Sequence, residues 1–237
     1  MSDTPMKPSN GQRYRRLWGR AKGKPLSPYQ TGLVETKLAA ISVDVDKPLA
    51  SLGDCKSIRM EVGFGGAEHL LHRAEENPDT VFTGVEPFLN GVAKALAGID
   101  RTDLKNIRLH HGDVWQFLEN LPDASLDHID ILYPDPWPKA RHYKRRLIQE
   151  DLISEFHRVL KLGCELHFAS DIPSYIDWAL VRILNFQTEA GQGGFEWNTE
   201  SAANWQTPYD GWPGTRYEAK AYREGRTPHY FRFVRKA

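Results

Sequence analysis

From about residue 55 the chain alternates short apolar runs with longer stretches in which apolar positions recur every three or four residues. SIRMEV (57–62), VFTGVE (81–86), IRLHHGD (107–113), HIDILY (128–133) and CELHFAS (164–170) read as strands, rich in Val, Ile and Phe and bounded by Gly, Asp or Pro. Between them AEHLLHRAEE (67–76), LNGVAKALAG (89–98), VWQFLENL (114–121) and LIQEDLISEFHRVL (147–160) read as helices. Asn77-Pro78 stops the first of these, and Lys161-Leu162-Gly163 is expected to stop the last. Pro173 is expected to open a further helix through DWALVRILNF. Strands alternating with helices predict right-handed βαβ units and a parallel sheet. The first forty-odd residues are basic, Pro/Gly-rich and weakly periodic, and read as an arm or loosely packed lead-in.

Ligands of such sheets bind at the carboxyl ends of the strands. All five strands end in an acid or lead into one there: Glu61, Glu86, Asp113, Asp135 and Asp171. An acid is an ordinary cap or turn residue, so each alone carries little, but five along one edge carry more. Glu61-Val62-Gly63-Phe64-Gly65-Gly66-Ala67 follows the first strand, and its glycines permit a tight turn with close approach of a ligand. Glu86 stands where a ribose-gripping acid belongs. A nicotinamide dinucleotide is one reading. Against it, the sixth position of Gly-x-Gly-x-x-Gly is Glu68, whose charge would repel a pyrophosphate at that helix N-terminus. A cationic nucleoside without phosphate, such as S-adenosylmethionine, suits the loop better.

The second motif is Tyr133-Pro134-Asp135-Pro136-Trp137-Pro138-Lys139, continuing through Ala140-Arg141-His142-Tyr143-Lys144-Arg145-Arg146. Prolines at alternate positions are expected to hold the preceding residues extended, giving a stiff strand-end loop with Asp135 and Trp137 fixed. A rigid turn around a core tryptophan, or a polyproline ligand, is the plainer reading. The cations that follow directly, after an apolar strand, set the motif apart from a linker ligand. The chain holds 31 basic and 31 acidic residues, so its net charge is zero, but the distribution is uneven. Residues 1–24 carry a net +6, residues 139–146 a net +5 and residues 216–236 a net +5, leaving −16 elsewhere. A polyanion responds to such patches more than to the total. Solvated faces are the bland alternative.

PDPWPKARHYKRR strongly resembles the hallmark of the bacterial tRNA (guanine-N7-)-methyltransferases, class I enzymes dependent on S-adenosylmethionine. EVGFGGAEHL, GVEPFLNGV, HHGDV and TRYEAKAYREG extend the likeness over most of residues 55–225. The resemblance implies a Rossmann-like α/β fold: a seven-stranded, mainly parallel sheet with helices on both faces. FEWN and YFRFV would be its last two strands, the final one antiparallel. It implies an arm over residues 1–45 and a methyltransferase domain over 46–237. It implies methyl transfer from S-adenosyl-L-methionine, with S-adenosyl-L-homocysteine as product, to N7 of guanine 46 in the tRNA variable loop. By the same likeness Glu61, Gly63, Gly65, Glu86, Asp113 and Asp135 meet the cofactor, and Asp135 is catalytic. Lys139, Asp171, Thr215, Arg216, Tyr217 and Glu218 would contact substrate, and Arg141, His142, Lys144, Arg145 and Arg146 the RNA. Two departures stand out: Ala67, where many relatives carry a third glycine, and HYFRFVRKA in place of an acidic ending.

The chemistry agrees with the likeness. Guanine N7 has an in-plane lone pair and no proton, so alignment rather than a general base is what it needs. No Ser/His/Asp or Cys/His grouping offers a covalent nucleophile. His110-His111 has no Cys or His at metal-ligand spacing, so no metal is expected. Trp115 and Trp178 read as core. Trp197, Trp205 and Trp212 read as packing or as base-stacking rings. Cys55 and Cys164 read as small buried hydrophobes, and two cysteines exclude a disulfide scaffold. With 40% hydrophobic residues the chain can fill a core, and no apolar run is long enough to span a membrane. The N-terminus shows no secretory pattern, so a cytoplasmic protein, monomer or homodimer, is expected. The alternatives are an exocyclic-amine nucleic-acid methyltransferase, whose strand-end loop is similar in place, and a non-catalytic RNA-binding protein on the same fold.

Overall fold

The computed structural model describes residues 18–19, 23–53, 55–187, 191 and 193–237. Among the described residues seven strands form one sheet: β1 (Ser57–Val62), β2 (Thr80–Val85), β3 (Ile107–His110), β4 (Leu126–Leu132), β5 (Leu160–Ser170), β6 (Gly194–Glu196) and β7 (His229–Lys236). Their order is β3-β2-β1-β4-β5-β7-β6. The first five run parallel, and β7 is antiparallel to both β5 and β6. The strand order reverses between β1 and β4. That switch point opens the crevice in which open α/β sheets bind ligands, and the glycine motif and Asp135 both lie there.

The apolar residues fall mainly into two cores, and period-two alternation turns one face of β1, β4 and β5 toward the larger. Met60 and Val62 of β1, with Ile129 and Ile131 of β4 and Leu166 and Phe168 of β5, are buried in the larger one. It is capped by α6 (Glu150–Val159) and α7 (Pro173–Asn185), through Leu152, Phe156, Tyr175 and Ile183. The smaller core joins α3 (Glu68–Glu76) and α4 (Leu89–Thr102) to β2 and β3 through Leu70, Phe82, Leu96 and Leu109. The helix α5 (Val114–Leu118) follows β3, and the described residues also form α2 (Pro48–Leu52), α8 (Ala203–Gln206) and α9 (Arg216–Arg223).

The expected strands and crossover helices are present, with Pro173 in the first turn of its helix. Two segments differ. Residues 28–41, read as part of a loose lead-in, form the fourteen-residue helix α1 (Pro28–Ile41). Its Leu33 is buried in the smaller core, and Lys37 and Tyr29 both engage Asp100 of α4. Ser27 and Gln30 form a capping box with Pro28 at the first helical position, a local start signal that weak periodicity hid. The arm residues before Trp18 lie outside the described residues. The second difference is Gly163, expected as a helix stop. The helix ends at Val159 and β5 begins at once. Gly163, at φ +76°, lies where β5 pairing jumps from Leu126↔Leu160 to His128↔Glu165. The glycine serves a bulge in the strand. Both cysteines are half-buried rather than enclosed. No helix of the described residues is long and apolar enough to cross a membrane.

Candidate functional site

The turn after β1 uses left-handed backbone at Gly63 (φ +73°), Gly65 (φ +54°) and Ala67 (φ +63°). Ala67 is the N-cap of α3, fully buried, in a conformation that disfavours any side chain. A side chain on Gly63 would meet nothing within 4 Å, so the loop faces open space there. Glu86, at the end of β2, ties the loop down. Its carboxylate accepts the Gly65 N–H at 2.8 Å and the Phe88 N–H at 2.9 Å. Burial raises the Glu86 carboxyl above its ordinary value, while these two N–H groups favour its charge. Gly91 of α4 lets the helix close on this pair. A Cβ there would stand 2.5 Å from the Gly65 carbonyl oxygen and 3.0 Å from Glu86 Cγ. Glu61 is buried beneath the turn and pairs with His69 of α3, Oε2 to Nδ1 at 2.9 Å. Burial raises the Glu61 carboxyl. Burial opposes charge on His69 too, but the Glu61 carboxylate prevails and raises the imidazole. Asp113 caps α5, accepting the Trp115 N–H at 3.1 Å. The ordinary capping role is therefore present alongside any ligand role.

At the end of β4 the proline loop departs from the extended form expected. Tyr133 and Trp137, each preceding a proline, have φ of +52° and +42°. Residues before proline favour extended backbone, and non-glycine residues at positive φ store about 1–3 kcal/mol of strain each. The surrounding structure must hold them. Arg146 does much of this: its side chain, 2% exposed, donates to the Pro136 carbonyl and to the Ser174 carbonyl, both at 2.8 Å. Its guanidinium also lies 3.7 Å from the Tyr143 ring centre. The expectation that Arg146 meets RNA is thus corrected, because its donors are spent inside the protein. Asp135 is exposed on this braced loop, within the electrostatic field of Glu86 and Tyr217.

The third wall is the start of α9. Thr215 and Glu218 form a capping box. Glu218 is buried, accepts the Trp212 indole N–H at 3.0 Å and receives the Tyr230 hydroxyl. Its carboxylate holds α9 in place, a structural role that stands beside the expected substrate contact. Arg216 reaches across to Glu68, Nε to Oε1 at 2.6 Å, and closes α9 onto the glycine turn. The half-exposed Tyr217 ring then lies over Gly65. Asp171, after β5, accepts from Arg226 Nε at 2.6 Å. Gly65, Glu86, Asp135 and Tyr217 therefore converge on one crevice, with Asp113 at the neighbouring strand end and Asp171 beyond. Lys139, Arg141 and Lys144 are exposed beside it, on and before the 3-10 turn Ala140–Arg145. Arg145 lies over the Trp18 and Trp137 rings, at 4.3 and 5.0 Å, and His142 meets the Trp137 edge. Trp197 and Trp205 pack against the larger core, so packing accounts for them.

One grouping escaped the sequence reading. His128 and Asp130 of β4, with Glu165 and His167 of β5, share the sheet face that carries Arg59 and Glu61. They line a solvent-open groove with Trp212 and Tyr209. Burial alone would raise Asp130, but His128 and Arg59 hold its carboxyl well below the usual range. The available signal was His-x-Asp and Glu-x-His on two strands consecutive in the sequence.

The comparisons with known proteins agree with this geometry. Residues 56–230 match the family model described as "Putative methyltransferase". The tRNA (guanine-N(7)-)-methyltransferase of Agrobacterium fabrum is 51% identical, covering 93% of this chain and 95% of that protein. The enzyme of the same name from Mesorhizobium japonicum is 48% identical over 93% and 94%. Among solved structures, the 16S rRNA methyltransferase KamB superposes with a TM-score of 0.54 at 13% identity, covering 78% of this chain and 91% of that one, a likeness of fold. With a crevice of this form, a matching family model and relatives at about half identity along nearly the whole chain, the protein belongs to the tRNA (guanine-N(7)-)-methyltransferase family.

Proposed function

We infer that the protein transfers a methyl group from S-adenosylmethionine to N7 of a guanine in tRNA, at position 46 of the variable loop. The observation that carries this reading is Asp135: a carboxylate exposed on a strained, braced loop at the sheet's switch point, beside Glu86 and the glycine turn. The residues fit the cofactor. Gly63 borders open space, Glu86 is a carboxylate suited to ribose hydroxyls, and Asp113, at the neighbouring strand end, would be a further contact to the cofactor. When bound, S-adenosylmethionine supplies an electrophilic methyl group on a sulfonium.

The rest falls to the chain. N7 attacks with its own lone pair and loses no proton, so Asp135 has none to remove. Its carboxylate accepts hydrogen bonds from the guanine N1–H and 2-amino group, a donor pair adenine lacks, and stabilises the positive charge the purine acquires. Tyr217, over Gly65, covers the crevice and restricts water. Lys139 and Asp171 flank the base, with Thr215 and Arg216 positioning the α9 wall. Arg141, His142, Lys144 and Arg145 meet the RNA backbone, helped by the basic arm within residues 1–45, while 46–237 form the catalytic domain. The protein works in the cytoplasm, as a monomer or homodimer. Neither the chemistry of the nucleophile nor that of the leaving sulfur calls for a metal.

The test is to incubate purified protein with bulk tRNA and methyl-labelled S-adenosylmethionine, digest to nucleosides and identify the labelled one by mass spectrometry. N7-methylguanosine is expected. N6-methyladenosine would replace this reading with the exocyclic-amine alternative, and cofactor binding without label in RNA would replace it with a binding protein.

A further inference from the structure

The groove on the sheet face lies below the cofactor crevice, and the methyl-transfer scheme uses none of its side chains. We propose that His128, Asp130 and His167 form a binding site for a divalent transition metal ion of the zinc type. Two features of the fold bring them together. His128 and Asp130 are two residues apart on β4 and so share a face, and Asp130 is the direct register partner of His167 on β5. His128 Nε2 lies 3.0 Å from Asp130 Oδ1, and His167 Nδ1 lies 3.6 Å from the same oxygen. The three ligand atoms all fall within 4.8 Å of one another. Bonds of about 2.0–2.1 Å in a tetrahedral site place ligand atoms roughly 3.3 Å apart. Closing on an ion therefore needs only small side-chain rotations.

The surroundings favour a cation in that position. His167 Nε2 lies 2.7 Å from Glu165 Oε2. With the ring N–H given to Glu165, His167 turns the lone pair of Nδ1 toward a carboxylate oxygen. Two lone pairs then face each other, and an ion between them resolves the conflict. The carboxylate behind the histidine is also the arrangement that orients metal-ligating imidazoles. Arg59 approaches the other oxygen, Asp130 Oδ2, at 3.8 Å and leaves Oδ1 to the histidines. The other groove cations have partners of their own: Arg73 donates to Glu76 and to the Asp210 carbonyl, Arg232 lies over the Tyr209 ring, and His69 pairs with Glu61. Tyr209 stacks on His167 at 4.0 Å and fixes the ring plane. The groove holds about 200 Å³, room for a fourth ligand from solvent. Two imidazoles and a carboxylate with an open position suit Zn²⁺ or Co²⁺ rather than Mg²⁺ or Ca²⁺.

The experiment uses the full chain stripped with a chelator. Zn²⁺ is titrated in competition with a chromophoric chelator, beside the double variant His128→Gln/His167→Gln and the near-isosteric Asp130→Asn. The wild type is expected to hold one equivalent that the double variant binds about a hundredfold more weakly or worse. Calorimetry with S-adenosylmethionine checks that the variants remain folded. Should they not fold, Co²⁺ bound to the wild type decides the matter: intense visible bands of four- or five-coordinate cobalt support the site, and the weak bands of six-coordinate cobalt refute it. Equal zinc affinity in wild type and folded double variant, or no equivalent retained by the wild type, would also overturn the proposal.

Discussion

Arg146 and Lys144 sit two positions apart in one basic run, yet the structure gives them opposite work. Lys144 is exposed, whereas Arg146 is buried with its donors on Pro136 and Ser174. An ammonium cannot reproduce that fork. Arg146→Lys should lower stability by about 2–3 kcal/mol, roughly 5–10 °C in a thermal melt, with methylation reduced and the salt dependence of tRNA binding unchanged. A reduced salt slope with an unchanged melt would return Arg146 to the RNA interface. The Glu61–His69 pair makes a pH prediction. His69 is raised from its ordinary 6.5 in the folded protein, so its contribution to stability is complete below that value and is lost as pH rises through the raised one. Urea melts across neutral to alkaline pH should show wild-type stability declining more steeply than that of His69→Gln. Parallel profiles would mean that the pair holds no extra proton. At Asp135, replacement by Asn keeps the shape but sets a new donor against the guanine donors. Single-turnover methylation should fall by about two orders of magnitude or more, with tRNA affinity nearly constant because phosphate contacts dominate it. Near-normal turnover would remove the charge from the mechanism.

Among the elements, the strands and crossover helices from 57 to 186 were legible because burial imposes a period of two or 3.6 on the sequence. The acids at the strand ends were legible for a topological reason: parallel strands place all their carboxyl ends on one edge. What escaped depends on tertiary placement or on local chemistry that periodicity ignores. The helix α1 announces itself only through Ser27, Pro28 and Gln30. The stop expected at Gly163 is a bulge, because left-handed glycine serves helix ends and strand irregularities alike. Proline spacing predicted extended residues, yet Tyr133 and Trp137 are left-handed because packing and Arg146 override the local preference. Nor does a run of cations reveal which member is buried. The junction of α4 with the glycine turn offers an element-level test. Gly91→Ala would press a methyl group against the Gly65 carbonyl, a backbone atom that cannot swing aside. A destabilisation of about 1–3 kcal/mol is expected, with cofactor affinity reduced at least tenfold in calorimetry. Unchanged affinity would show that the turn does not need α4 so close.

For the molecule as a whole, zero net charge conceals a basic flank beside an acidic crevice. The strand-end acids suit a cationic cofactor, while Arg141 and Lys144 lie outside the crevice where a polyanion would run. Replacing Arg141 and Lys144 with Ser should flatten the slope of log tRNA affinity against log salt by about two units, with cofactor binding intact. An unchanged slope would place the RNA on another face. The enzyme is expected to make one product at one place. The most direct measurement is to methylate a single purified tRNA, reduce it with borohydride and cleave it with aniline, which breaks the chain only where guanine carries an N7 methyl group. One cut, at the variable-loop guanine and dependent on S-adenosylmethionine, is the result this account predicts. Methyl incorporation with no such cut, or cuts confined to other guanines, would contradict it.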